Sequence, residues 1–246
     1  MNNAHLPKIL IPVLTLSLSA CSSSSPPATS GASGDNVSHT VIIGQEVPGG
    51  PSLKGTGRWS AIHRDVDQFH AIDLKDCVKV RVAVGQPLAI SVEADENLVS
   101  AVNTKVESGR LVISLTKSFQ TARAPEVIIS VPELSEVNSS GSGEIQVTGV
   151  KGDVFKVDCS GSGTFYATGK VTTEKLTLSG AGKVDCVKLV ADNVTVELSG
   201  AGDCFLDAEK ALNAKLTGAG SIKYKGNPAV LTKSDTGAGS ITALTL

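Results

Sequence analysis

The sequence predicts an all-β chain wound as a parallel β-helix, and three observations carry that prediction. A tripeptide, Gly-Ser-Gly or Gly-Ala-Gly, recurs from Gly141, Gly161, Gly180, Gly200, Gly218 and Gly237 in steps of 20, 19, 20, 18 and 19 residues. A near-constant period of that size marks a solenoid whose repeats stack, here with about 19–20 residues per rung. Apolar and polar residues alternate on both sides of each tripeptide. Hydrophobic residues make up 41% of the 246 and aromatics only 3%, a mix that fills stacked rungs with branched aliphatics.

The glycines fix the register within each repeat. Four positions after the first glycine stand Ile145, Phe165, Val184, Cys204, Ile222 and Ile241, and two further on Val147, Ala167, Cys186, Leu206, Tyr224 and Ala243. Four positions before it stand Val137, Val157, Leu176, Val196 and Ala214, and two before it Ser139, Cys159, Leu178, Leu198 and Leu216. Alternation with period two on each side of the turn predicts two strands per repeat facing one interior. The last repeat has Lys233 and Asp235 at core positions, as befits a terminal rung that must resist edge-to-edge pairing. Each turn opens on a hydroxyl residue, giving a ladder of Ser140, Ser160, Ser179, Ser199, Thr217 and Thr236. The paired glycines are expected to supply positive φ and to let backbones stack. The hydroxyls either satisfy the turn backbone or form a polar ridge for a ligand.

Residues 1–20 read as an export signal, with Lys8 ahead of an apolar stretch from Ile9 to Ala20. That stretch is too short to span a bilayer. It ends in Leu18-Ser19-Ala20-Cys21, which resembles a bacterial lipobox and makes Cys21 the expected lipidation site. The competing reading is an ordinary cleavage after Ala20 with Cys21 incidental. Residues 21–40, with Ser22-Ser23-Ser24-Ser25-Pro26-Pro27 at their head, bury too little apolar surface to fold and read as a flexible tether. In Gram-negative lipoproteins a serine after the cysteine implies sorting to the outer membrane.

Residues 41–63 read as a loosely structured lead-in with glycine-rich turns. From Phe69 the pattern becomes strands: Val78, Val80, Val82 and Val84, then Leu88, Ile90 and Val92 after Gly85-Gln86-Pro87, with Leu111–Leu115 and Val127–Val131 further on. A short helical turn is expected between Glu93 and Val102.

Net charge is −2, so no basic field holds nucleic acid. No CxxC pair and no histidine after His70 occur, so no metal site and no cofactor are expected. Cys77, Cys159, Cys186 and Cys204 invite a disulfide reading in an exported chain. In the repeat register Cys159, Cys186 and Cys204 are offset from one another, Cys186 and Cys204 beyond usual bridging range, and all four read better as small buried apolar residues. The acids of the repeat tract converge on nothing, which leaves no catalytic constellation for glycoside cleavage. Lys183 and Asp203 are expected to form a solvated ion pair between rungs. Tyr166 and Phe205 fall in one outward column with Asp185 between them and Lys223 beyond, a candidate binding surface.

The ordered segments Arg64-Asp65-Val66-Asp67-Gln68-Phe69-His70-Ala71-Ile72, Ala94-Asp95-Glu96-Asn97-Leu98, Gly109-Arg110-Leu111-Val112-Ile113 and Gly218-Ala219-Gly220-Ser221-Ile222-Lys223-Tyr224-Lys225-Gly226-Asn227-Pro228, together with the serial turns, resemble the GIN domain, described as an autotransporter-adhesin head. The resemblance spans residues 64–246. It implies a single-stranded right-handed β-helix in exported bacterial proteins, many of them lipoproteins, and offers no catalytic residues to transfer. The expectation is a non-enzymatic, lipid-anchored outer-membrane module with an adhesin-like role toward a surface glycan or protein. Its alternatives are a periplasm-facing scaffold and, third, a polysaccharide-active enzyme.

Overall fold

A computed structural model describes residues 41–43 and 53–244; the export signal, Cys21 and the tether lie outside the described residues. The strands run β1 Val41–Ile43, β2 Leu53–Lys54, β3 Trp59–Arg64, β4 Ala71–Leu74, β5 Lys79–Val84, β6 Ala89–Asp95, β7 Val102–Glu107, β8 Arg110–Leu115, β9 Phe119–Thr121 and β10 Glu126–Val131. They continue through β11 Glu136–Ser139, β12 Glu144–Cys159, β13 Thr164–Leu178, β14 Lys183–Leu198, β15 Asp203–Leu216, β16 Ser221–Lys225, β17 Val230–Asp235 and β18 Ser240–Ala243. The expected helical turn is a 3₁₀ turn at Val99–Ala101.

The repeat tract is a parallel β-solenoid, and the whole molecule makes about five turns. Each long strand wraps round the rod: in β12 the first half pairs with β5 on one face and the second half with β11 on the other. The register read from the glycines holds, with Ile145, Phe165, Val184, Cys204, Ile222 and Ile241 aligned in successive rungs. The columns before the turn align as well, from Val137 through Val157, Leu176 and Val196 to Ala214. All of these side chains are buried except Ile241, which is half-buried at the last rung, so alternation on both faces closes one continuous aliphatic core.

Two expectations are corrected. First, residues 59–131 are not purely solenoidal: β6 pairs antiparallel with β3 and β10, and β7 antiparallel with β8, while β5 and β10 run parallel. The rod therefore starts as a sandwich whose two sheets feed the two solenoid faces. The lead-in takes part, since Trp59–Arg64 forms the edge strand beside β6. Second, the turn glycines do not adopt positive φ. The positive-φ glycines are Gly57, Gly85, Gly109, Gly149, Gly152, Gly169 and Gly226.

The other half of that expectation holds: the turns need glycine for close stacking. A Cβ on Gly161, Gly180 or Gly200 would lie 1.9 Å from the carbonyl oxygen of the glycine one rung below. That oxygen is part of the ladder: Gly180 C=O accepts the Ala201 N–H at 3.2 Å. Backbone hydrogen bonding thus passes through the later turns, with Ala219 N–H on Gly200 C=O and Ala238 N–H on Gly218 C=O as well, and a side chain at either glycine would push the rungs apart.

Cys159, Cys186 and Cys204 are free thiols, as their offset predicts. Cys77 is buried with the core, as expected of a small apolar residue. Burial pushes the Cys159 thiol up to about 12 and holds Cys186 and Cys204 well above the usual thiol range, so these three are unreactive packing residues. Lys233 lies over the Tyr224 ring at 4.7 Å and its Nζ donates to the Ile241 carbonyl at 3.3 Å. It lays a charge across the exposed last rung. Among the described residues no helix is long and apolar enough to cross a membrane.

Candidate functional site

One outward column carries the expected binding surface. Gln146, Tyr166, Asp185, Phe205, Lys223 and Thr242 follow one another across five strand pairings, all held at rung spacing by the ladder. Tyr166 and Phe205 are two rungs apart, roughly 9.5 Å. Lysine ammonium groups lie over both rings. Lys183, from the neighbouring column, places Nζ 5.7 Å from the Tyr166 ring centroid and 4.9 Å from that of Phe205, and Lys223 lies 5.5 Å from Phe205 on its other side. Lys183 also pairs with Asp185 at 3.2 Å.

The four residues singled out from the sequence are therefore brought together, but as an alternating stack of rings and charges rather than a bare aromatic platform. Sequence reasoning gave Lys183 a different partner, Asp203. The two are rung neighbours, yet Lys183 turns to Asp185, where one ammonium serves a carboxylate and two rings at once, and Asp203 accepts from the Ser221 hydroxyl. Burial raises the Tyr166 hydroxyl above its ordinary value, with Lys183 opposing. Removing the ammonium in Lys183→Ala should lower stability by about 1 kcal/mol, the scale of a partly exposed cation–π pair plus an ion pair. Lys183→Arg should recover most of it, as read by denaturant midpoint.

The hydroxyl ladder is exposed along its length at Ser140, Ser160, Ser179, Ser199, Thr217 and Thr236. Its backbone N–H groups continue the inter-rung ladder, from Ser140 N–H on Leu74 C=O to Thr236 N–H on Leu216 C=O. The backbone of these residues is structural, and their side chains form a polar ridge beside the turns.

On the opposite face an ion network spans four neighbouring strands, β8, β4, β11 and β12. Arg110 donates to both oxygens of Asp73, at 2.7 and 3.0 Å, and to Glu136 at 3.0 Å, while Lys156 reaches Glu136 at 3.3 Å and Asp158 at 2.6 Å. Bonding to Arg110 holds both Asp73 and Glu136 below the usual carboxylate range. The bidentate fork, half-buried, ties the sandwich to the first solenoid rung.

The sequence reading missed a buried acid. Six positions before the turn stand Phe155, Glu174, Val194 and Leu212, a column paired rung to rung, and Glu174 is fully buried in it. Neither carboxyl oxygen has a hydrogen-bond partner of ordinary geometry. Burial drives its pKa to about 8, with the Cys186 thiol as a weak opposing donor and Asp207 adding to the rise. Tabulating this column beside the other four would have exposed the one polar intruder. Among the described residues no group of three or more His, Cys, Asp or Glu is placed to hold a metal ion.

The fold recurs in solved structures. A "putative adhesin" from Bacteroides fragilis NCTC 9343 aligns with a TM-score of 0.65 at 21% identity, over 78% of this chain and 100% of that one. Another "putative adhesin", from Parabacteroides merdae ATCC 43184, gives 0.53 at 19% identity over 79% and 99%. A third, from Parabacteroides distasonis ATCC 8503, gives 0.50 at 19% over 79% and 100%. At such identities the likeness establishes the fold alone. No curated sequence matches. The family model described as "Putative auto-transporter adhesin, head GIN domain" matches residues 68–228, from the sandwich through the solenoid turns whose packing requires glycine, and the chain belongs to that family.

Proposed function

We propose that this protein is a lipid-anchored binding module of the bacterial outer membrane, an adhesin-like head carried on the tether of residues 21–40. The observation that carries the reading is the regular outward face of a stiff rod. Its charged side chains pair with one another within and between rungs, as Lys183 does with Asp185 and Lys156 with Glu136. Such a face offers repeated contacts for recognition, and membership of an adhesin-head family supports the same use. The lipobox-like Leu18-Ser19-Ala20-Cys21 supports the anchor, and several acyl chains on one cysteine would hold the protein stably where one alone is marginal.

The anchor is tested by Cys21→Ala with cell fractionation and mass spectrometry of the mature N-terminal peptide. The variant should leave the membrane fraction or stall in processing, and the natural protein should show acyl groups on Cys21. Retention of the variant in the membrane would contradict the anchor. So would a Cys21 sulfur found in a disulfide, with Cys77 or any other cysteine, because the thioether to lipid uses the same atom.

A further inference from the structure

A half-open cleft of about 470 Å³ lies in the sandwich, beside the start of β4, the start of β6 and the end of β10, lined by Gln68, Phe69, His70, Leu88, Val131, Pro132 and Glu133. Nothing in the ladder requires it. Its volume falls in the range of small-ligand sites, roughly 300–1,000 Å³. Phe69 and Val131 are buried and form the floor with half-buried Leu88, while Gln68, His70 and Glu133 stand exposed at the rim.

The walls are fixed without a ligand. On one side the His70 N–H donates to Gly109 C=O at 3.0 Å, and the His70 carbonyl accepts both the N–H and the hydroxyl of Ser135, at 2.9 and 3.2 Å. On the other the Val131 carbonyl accepts the Gly85 N–H at 2.8 Å, and the Ser130 hydroxyl donates to Pro87 C=O at 2.6 Å. The His70 imidazole rests on Gly109, where a Cβ would come within 2.7 Å of His70 Cε1. Gly109 thus keeps the ring at the rim. A cleft so braced loses little freedom on binding.

The chemistry of the lining selects the occupant. An apolar floor suits the C–H face of a sugar ring. A carboxylate accepts paired hydroxyls, an amide both accepts and donates, and an imidazole offers one donor and one acceptor. No lysine or arginine lines the cleft, so a carboxylate- or phosphate-bearing ligand would meet Glu133 with no permanent cation to offset the repulsion. We propose that this cleft binds a short saccharide without acidic groups, one or two rings long. The proposal rests on the reading of the protein as a binding module and gives it a ligand class and an address away from the Tyr166–Lys223 column.

The test is saturation-transfer NMR on the purified protein with cellobiose, maltose, lactose and N-acetylglucosamine, and glucuronate as the acidic counterpart. At least one neutral sugar should bind and be weakened tenfold or more by Glu133→Ala and by Gln68→Ala. Both residues are exposed, so their removal leaves the core intact, and an unchanged melting temperature confirms it. Ala201→Ser, at an exposed solenoid turn, should bind as the natural protein does, and glucuronate should not compete. Absence of binding to every neutral sugar, unchanged binding by both cleft variants, or equal binding of glucuronate would each overturn the cleft. Adhesion of whole cells separates the two readings. Cells carrying Glu133→Ala that adhere normally would leave the adhesin reading standing without the cleft, and cells of the natural strain that adhere to nothing would remove the adhesin reading itself.

Discussion

Gly200→Ala should destabilise the protein by about 3 kcal/mol or more, among the largest effects available from one added methyl group. The new Cβ would fall 1.9 Å from the Gly180 carbonyl oxygen, and that oxygen cannot withdraw because it accepts the Ala201 N–H. Only separation of two rungs relieves the clash, which breaks ladder hydrogen bonds and opens the core beneath. For a domain of this size the melting temperature should drop by roughly 6–12 °C. Ala201→Ser, one residue along and exposed, should change it little. Gly182→Val should act in the same way through the Gly163 oxygen, 2.4 Å from its Cβ position. A Gly200→Ala variant melting with the natural protein would mean that the turns do not stack at the spacing described.

The second large effect concerns Glu174. Its folded-state pKa is raised to about 8 from an ordinary 4.5, so between those values the folded chain holds a proton that the unfolded chain releases. Stability is then greatest near pH 4.5 and falls as pH rises toward 8, by up to about 1.4 kcal/mol per pH unit. Asp73 and Glu136 act in the opposite direction, with lowered values that add stability as pH rises, but their window lies below the ordinary carboxylate range. Glu174→Gln should flatten the slope between pH 5 and 8. Glu174→Leu, matching Leu212 in the same column, should stabilise at pH 8 by on the order of 2–4 kcal/mol. Urea midpoints at pH 5, 6.5 and 8 read both variants. A natural protein whose stability is level across that range would contradict a neutral, buried Glu174.

The legible parts of the fold are those in which one local signal repeats. The glycine register alone placed Ile145, Phe165, Val184 and Cys204 in one core column and Tyr166, Asp185 and Phe205 in one outward column, because in a solenoid sequence period and spatial neighbourhood are the same thing. The sandwich lacks that property. β3 lies against β6, and β10 sits between β5 and β6, pairings between distant segments with no period to announce them. Of the two reasons expected for the turn glycines, backbone stacking holds and positive φ does not, since a glycine required by a backbone across the rung looks in sequence like one required by φ. Lys183 shows the same limit at the surface: register named its rung neighbour Asp203, but a long flexible side chain chooses among all charges and rings in reach, and Asp185 with Tyr166 and Phe205 offers more. Cleft residues such as Glu133 carry no sequence signal, because their proximity to Gln68 and Leu88 comes from strand crossings.

Protease treatment of intact cells beside lysed cells, followed by immunoblotting for the solenoid, tests the central reading most directly. A head carried outside the outer membrane should be degraded in intact cells. Full protection until lysis would contradict an adhesin-like role and turn the rod inward, toward a scaffold facing the periplasm.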